Sequence, residues 1–135
     1  MESPLTKIEM YQKEVINDLK INDMTLSDKS FEIPQKKHYW VTKLIIEKQE
    51  LMKLERNKKQ LEKEVMKMQK DELPVTLSKQ SMRGAVYNTQ TMQTITQQID
   101  EQKLLVEYLE KVEKIFSFIT NDVKNIVEVK QMELM

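Results

Sequence analysis

Lys53, Arg56, Lys59, Lys63, Lys67 and Lys70 recur three or four residues apart, along and just before the stretch LERNKKQLEKEVMKMQK. On an α-helix that spacing sets cations one above another on a single face. The chemistry open to such a row is charge neutralisation. Ammonium and guanidinium groups displace the counterions of a polyphosphate, with an affinity that falls steeply as salt rises. At 1.5 Å per residue, Arg56 to Lys70 covers about 20 Å, enough to follow several phosphates of an extended strand. Aromatic platforms for bases commonly accompany such a row. Tyr39 is the candidate on the same side of the helix, with Tyr87 and Arg83 further along the chain.

Bond-making chemistry is poorly provided for. His38 is the only histidine and there is no cysteine, so neither a Ser-His nor a Cys-His pair with an orienting acid is expected. One histidine without clustered carboxylates makes no metal site, and no EF-hand loop is present. Neither GxxxxGK[ST] nor GxGxxG occurs, so no phosphate-cradling loop is encoded. Glu107, Glu110 and Glu113 share helical spacing and are expected to face solvent. The expectation is a protein that is not an enzyme and uses no cofactor or metal.

The helix that must carry the cations is readable as heptads. With Leu44 at position a, Leu51, Lys58 and Val65 follow at a, and Trp40, Glu47, Leu54, Leu61 and Met68 fall at d. Arg56, Lys63 and Lys70 are then f residues, Lys59 is at b, and Lys53, Lys67 and Tyr39 are at c. The acids Glu50, Glu55, Glu62 and Glu64 lie at g or e, beside the seam. An ordinary salt-bridged back would mix signs, whereas this one is almost uniformly cationic. Lysine-rich coiled coils are nonetheless common, so charge alone leaves open both a polyanion rail and a plain solvent face.

Composition agrees with long helices. One third of the 135 residues are charged, and there are one glycine and three prolines, too few turn formers for a sandwich or an α/β fold. The net charge of zero hides a pattern: the balance is −3 over residues 1–34, +6 over 35–70 and −3 over 71–135. MESPLTKIEM lacks the features of a secretory signal, and LII at 44–46 is far too short to span a bilayer. A soluble, intracellular protein without a membrane role is expected.

Along the chain, a short helix is expected from Pro4 to Leu19, with Leu5, Ile8, Val15 and Leu19 on its apolar face. Residues 20–34 read as loop, since Pro34 biases Ile33 to an extended conformation. A long helix should follow Pro34 and end near Asp71, before Pro74. Residues 75–88, holding Gly84, read as the connection. A second long helix is expected from Thr89, with Leu105, Leu109, Val112, Phe116 and Ile119 on its stripe. A break at Thr120–Asn121–Asp122 would cap a last short helix carrying Val123 and Ile126. The expected fold is all-α: an extended hairpin of two long helices with a short helix at each end, oligomeric through coiled-coil-like packing. Residues 1–74 form its basic-helix region, 75–88 the connecting loop and 89–135 the oligomerising region, in one continuous domain.

INDLKINDMTLSDKSFEIPQKKHYWVTKL (16–44), followed by ELMKLERNKKQLEK (50–63), resembles the UvsY-like recombination mediators of T-even-like phages. The shared entry pattern reads here as Asp18, Ile21-Asn22, Leu26, Ser30, Ile33-Pro34, His38 and Tyr39, and FITNDVKNIVEVKQME (118–133) is similar to the family's closing helix. The resemblance implies a ring-like homo-oligomer of about six or seven subunits. It further implies single-stranded DNA binding, and partners in a UvsX-type recombinase and a phage single-strand-binding protein, in the host cytoplasm. The family's Lys-x-Arg pair aligns its Lys with Lys63 but places Val65 at the Arg. Met68-Gln69 and Lys70-Asp71 replace the aromatic pair and glycine that follow. The contact role then falls to the clustered lysines. The alternative is a coiled-coil scaffold or chaperone-like hairpin with no nucleic-acid role.

Overall fold

The computed structural model describes residues 2–20, 26–72 and 84–134, apart from the side chains of 69–72. Among these residues there is no strand. Helix α1 spans Pro4–Asp18, α2 Leu26–Glu72 and α3 Gln90–Glu133, with one helical turn at 84–87 before α3. None of these helices is long and apolar enough to cross a membrane. The expected connection over 75–83 lies outside the described residues.

α1 begins as its sequence implies. Ser3 is the N-cap, its hydroxyl accepting the Thr6 N–H at 3.2 Å, and Pro4 follows in the first turn where no backbone donor is needed. α2 corrects the expectation of a loop up to Pro34. It starts at Leu26 and holds Pro34 inside. A proline there removes one helical hydrogen bond and crowds the carbonyl of Ser30, at a cost of about 3 kcal/mol. Ile33 beside it and Trp40 two turns on are both fully buried on one face. Burying each contributes about 1.5–3 kcal/mol, which offsets that cost.

α3 corrects a second expectation. Thr89 caps its start, accepting the Met92 N–H at 3.4 Å. The helix then runs unbroken through Thr120–Asn121–Asp122. The Thr120 hydroxyl donates to the Phe116 carbonyl at 2.7 Å, the bond of a helix-interior threonine and not of a cap. Phe116 and Val123, both buried, carry the packed face across the site. Of the two short end helices expected, the described residues contain the N-terminal one, and the C-terminal one is part of α3.

The chain forms two compact units, Met1–Glu47 with Leu104–Met135, and Lys48–Lys103. In the first, Trp40 is the anchor that heptad spacing implied. Its indole N–H donates to Asp18 Oδ2 at 3.0 Å, and the rings of Tyr11 and Tyr39 meet it edge-on at 5.7 and 5.1 Å. Leu44, Leu105, Leu109, Val112, Phe116 and Val123 are buried in this unit as expected, and Ile119 is half-buried. Ile126, expected to pack, is instead 48% exposed. It lies at the edge of the apolar arc of α3, away from the row that holds Phe116 and Val123.

The polar d residue Glu47 is only 1% exposed, and the Lys7 ammonium of α1 stands 3.2 and 3.4 Å from its two oxygens. A buried carboxylate deprived of its cation is strongly destabilising, whereas an apolar pair of similar volume is tolerated. Lys7→Met is therefore expected to cost about 3 kcal/mol in urea denaturation, and the double variant Lys7→Met/Glu47→Met to recover most of the loss. Equal losses in both variants would show that the pairing contributes nothing.

In the second unit Val86, Met92, Ile95 and Ile99 form the core, and Leu51, Leu54, Leu61, Val65 and Met66 of α2 pack against it. The expected seam thus closes on the α3 of the same chain. Met68, placed on the seam by a strict seven-residue repeat, is 60% exposed, and Met66 takes the packed position. A straight helix drifts about 20° per heptad against that repeat, so the seam has rotated by the last turns of α2.

Candidate nucleic-acid interface

α2 in the second unit presents Lys53, Arg56, Lys59, Lys63 and Lys67, all exposed. At 100° per residue the five lie within about 120° of arc and extend about 21 Å along the axis. They stand opposite Leu54, Leu61 and Val65, whose packing on α3 sets the rotation of the helix and turns the row outward. Lys70 continues the row in sequence, but its side chain lies outside the described residues.

The electrostatics of the row depend on what the neighbouring acids do. Among the described residues, none of the five cations is ion-paired. Two acids of the same helix are turned to other donors. Glu62 Oε1 accepts the Tyr87 hydroxyl at 3.4 Å, and Glu64 Oε1 accepts Gln60 Nε2 at 3.3 Å. The row therefore keeps its charge for a mobile counterion or an anionic partner, and both are exchangeable.

Lys58 has a separate place. At a seam position by sequence, it is half-buried, with its ammonium 5.8 Å from the centre of the Tyr87 ring. Tyr87 is 44% exposed and lies beside a groove of about 370 Å³ lined also by Gln93, Thr96, Gln97 and Asp100. A partly exposed ring beside a groove of amides, a hydroxyl and the Asp100 carboxylate can stack on a base or another flat group. Sequence placed Tyr87 only in a connecting segment. Its position against Lys58 and Glu62 depends on the helical turn at 84–87 meeting a part of α2 some 25 residues earlier in the chain, for which no local pattern exists.

Tyr39 belongs to the first unit, where its hydroxyl donates to Glu14 Oε2 at 2.9 Å and Lys43 stands 5.3 Å from its ring centre. Desolvation against α1, and then the hydrogen bond to Glu14, push its phenol up to about 12. It stays neutral and donating at any physiological pH. Together with its edge contact to Trp40, this lets Tyr39 fasten α1 while 41% of its surface stays exposed. In the second unit the arrangement offers five exposed cations and the half-exposed ring of Tyr87.

No protein-family model, curated protein or solved structure matches this chain.

Proposed function

We propose that the protein binds single-stranded DNA and acts as a recombination mediator. As a homo-oligomer, it would help to load a recombinase onto strands covered by a single-strand-binding protein. The observation that carries the reading is the row Lys53–Arg56–Lys59–Lys63–Lys67: five exposed cations on one helical face, with nearby Glu62 and Glu64 bonded elsewhere. Five cations on one face of a single helix can follow one flexible backbone over about 21 Å. Tyr87 supplies the adjoining ring for a base. The mediator role, the UvsX-type recombinase and the phage single-strand-binding protein rest on the family resemblance of residues 16–63 and 118–133. Each is a proposal about partners.

The test is a salt titration of a labelled oligothymidylate followed by fluorescence anisotropy. With five phosphates neutralised, log K is expected to fall with log salt at a slope of about −3.5, because single strands release about 0.7 ion per contact. Duplex of the same length should bind more weakly at every salt. No anisotropy change at low salt would remove the nucleic-acid reading and leave a helical scaffold.

A further inference from the structure

α3 carries a second apolar stripe that the chain's own core does not use. Within Leu104–Met132, positions spaced alternately by four and three residues are Leu104, Tyr108, Lys111, Ile115, Phe118, Asp122, Asn125, Val129 and Met132. All but the half-buried Tyr108 are exposed, Phe118 to 70% and Met132 to 69%. The buried face of the same segment, from Leu105 to Val123, is a different set. Four of the seven heptad positions are thus mainly apolar, a fifth is half apolar, and only two are wholly polar, one of them Glu107, Lys114, Asn121 and Glu128. A helix packed on one side only needs a stripe about 100° wide. One with nearly twice that arc has two faces to bury, and a heptad sustained for about four repeats is the pattern of a helix-on-helix seam.

The sequence of the stripe identifies its occupant. Laid antiparallel on a second copy of itself about a two-fold axis between residues 116 and 117, it pairs each stripe residue from Leu104 to Val129 with a suitable partner. Leu104 meets Val129, Ile115 meets Phe118, the Tyr108 hydroxyl meets the Asn125 amide, and Lys111 meets Asp122. Each pair occurs twice. Sliding by one heptad sets Lys111 against Ile115 or Val129, and Asp122 against Leu104 or Phe118, leaving charges on apolar residues. A parallel pairing in register sets Lys111 on Lys111 and Asp122 on Asp122. Neither Lys111 nor Asp122 has an ion-pair partner among the described residues of its own chain.

We infer that α3 is a self-association helix, joining two copies antiparallel through Leu104–Val129, in a register set by Lys111 of each copy against Asp122 of the other. Polar residues inside an apolar seam specify register and orientation in this way, and a two-fold interface needs one self-complementary patch. The inference deepens the oligomer part of the reading above and is independent of DNA. Two-fold pairing favours even-numbered assemblies, six over seven.

Sedimentation equilibrium of the full chain tests it, in the absence of DNA. The wild type is expected as two chains or an even multiple. Lys111→Glu and Asp122→Lys should each weaken association about tenfold, since each sets like charges face to face. The double variant Lys111→Glu/Asp122→Lys should return to near wild-type affinity, because the swapped charges meet again only in the antiparallel register. Phe118→Asp should give single chains with unchanged helicity by circular dichroism, as that side chain is outside the core. The chain has no cysteine, so mixing Ile115→Cys with Phe118→Cys protein should give a disulfide between the two. A monomeric wild type, a double variant no tighter than the singles, or Phe118→Asp assembling as before would each overturn the inference. A chain that pairs as described but binds no DNA would leave it standing and remove only the nucleic-acid reading.

Discussion

Reversing Arg56, Lys59 and Lys63 to glutamate together is expected to weaken single-stranded DNA binding by at least about a hundredfold at low salt. Three attractive contacts disappear and three repulsive charges take their places within the same 21 Å row, about one turn of helix apart. The salt slope should also flatten, from about −3.5 toward about −1.4, as two of five contacts remain. The fold should not respond. All three side chains are exposed, none is ion-paired among the described residues, and they stand on the face away from Leu54, Leu61 and Val65. Circular dichroism and urea denaturation should therefore match the wild type. The same charge change made at Lys13, Lys114 and Lys124, exposed residues of the first unit, separates the row from net charge. If that control loses as much affinity as the row variant, long-range charge and not the row is responsible.

Trp40→Ala is expected to lower stability by about 3–5 kcal/mol, the largest loss from any single side chain here. The indole is fully buried, touches the rings of Tyr11 and Tyr39, and satisfies Asp18 Oδ2 through its N–H. Removing it opens a cavity and leaves a carboxylate without one of its donors. Trp40→Phe divides the two effects. It keeps an aromatic ring in place but deletes the donor, and should cost about 1–3 kcal/mol, the penalty for a polar group left short of a partner. Urea titrations read by far-ultraviolet circular dichroism check both values, since Trp40 is the only tryptophan and its fluorescence is lost with it. A loss under about 1 kcal/mol for Trp40→Ala would mean that α1 is held chiefly by other contacts, such as Lys7 with Glu47.

Periodic segments were legible because their signal is a sum over many residues. Leu51, Leu54, Leu61 and Val65 on one long helix, and Leu105, Leu109, Val112 and Phe116 on the other, face cores as their spacing implied. The cationic row was legible for the same reason. Single-residue signals did less well. Pro34 was read as a boundary, but buried Ile33 and Trp40 outweigh one missing hydrogen bond. Thr120 was read as a cap, but its hydroxyl turned back to Phe116. The bond from the Tyr39 hydroxyl to Glu14, 25 residues away, had no signal in the heptad letter.

What the sequence determined by itself was the helical class, the two long apolar stripes, and cations recurring at helical spacing over 53–70. Each follows from residue type and periodicity, which act locally and add along the chain. Only the tertiary structure decided that the α2 seam closes on the chain's own α3 and that Glu47 is buried against Lys7. It also decided that Tyr39 fastens α1 and Tyr87 meets Lys58 and Glu62, and that a second apolar face of α3 is exposed among the described residues. Those outcomes depend on which surfaces meet across 25 to 40 residues of chain, and burial, unlike periodicity, is a property of the pair of surfaces and not of either one.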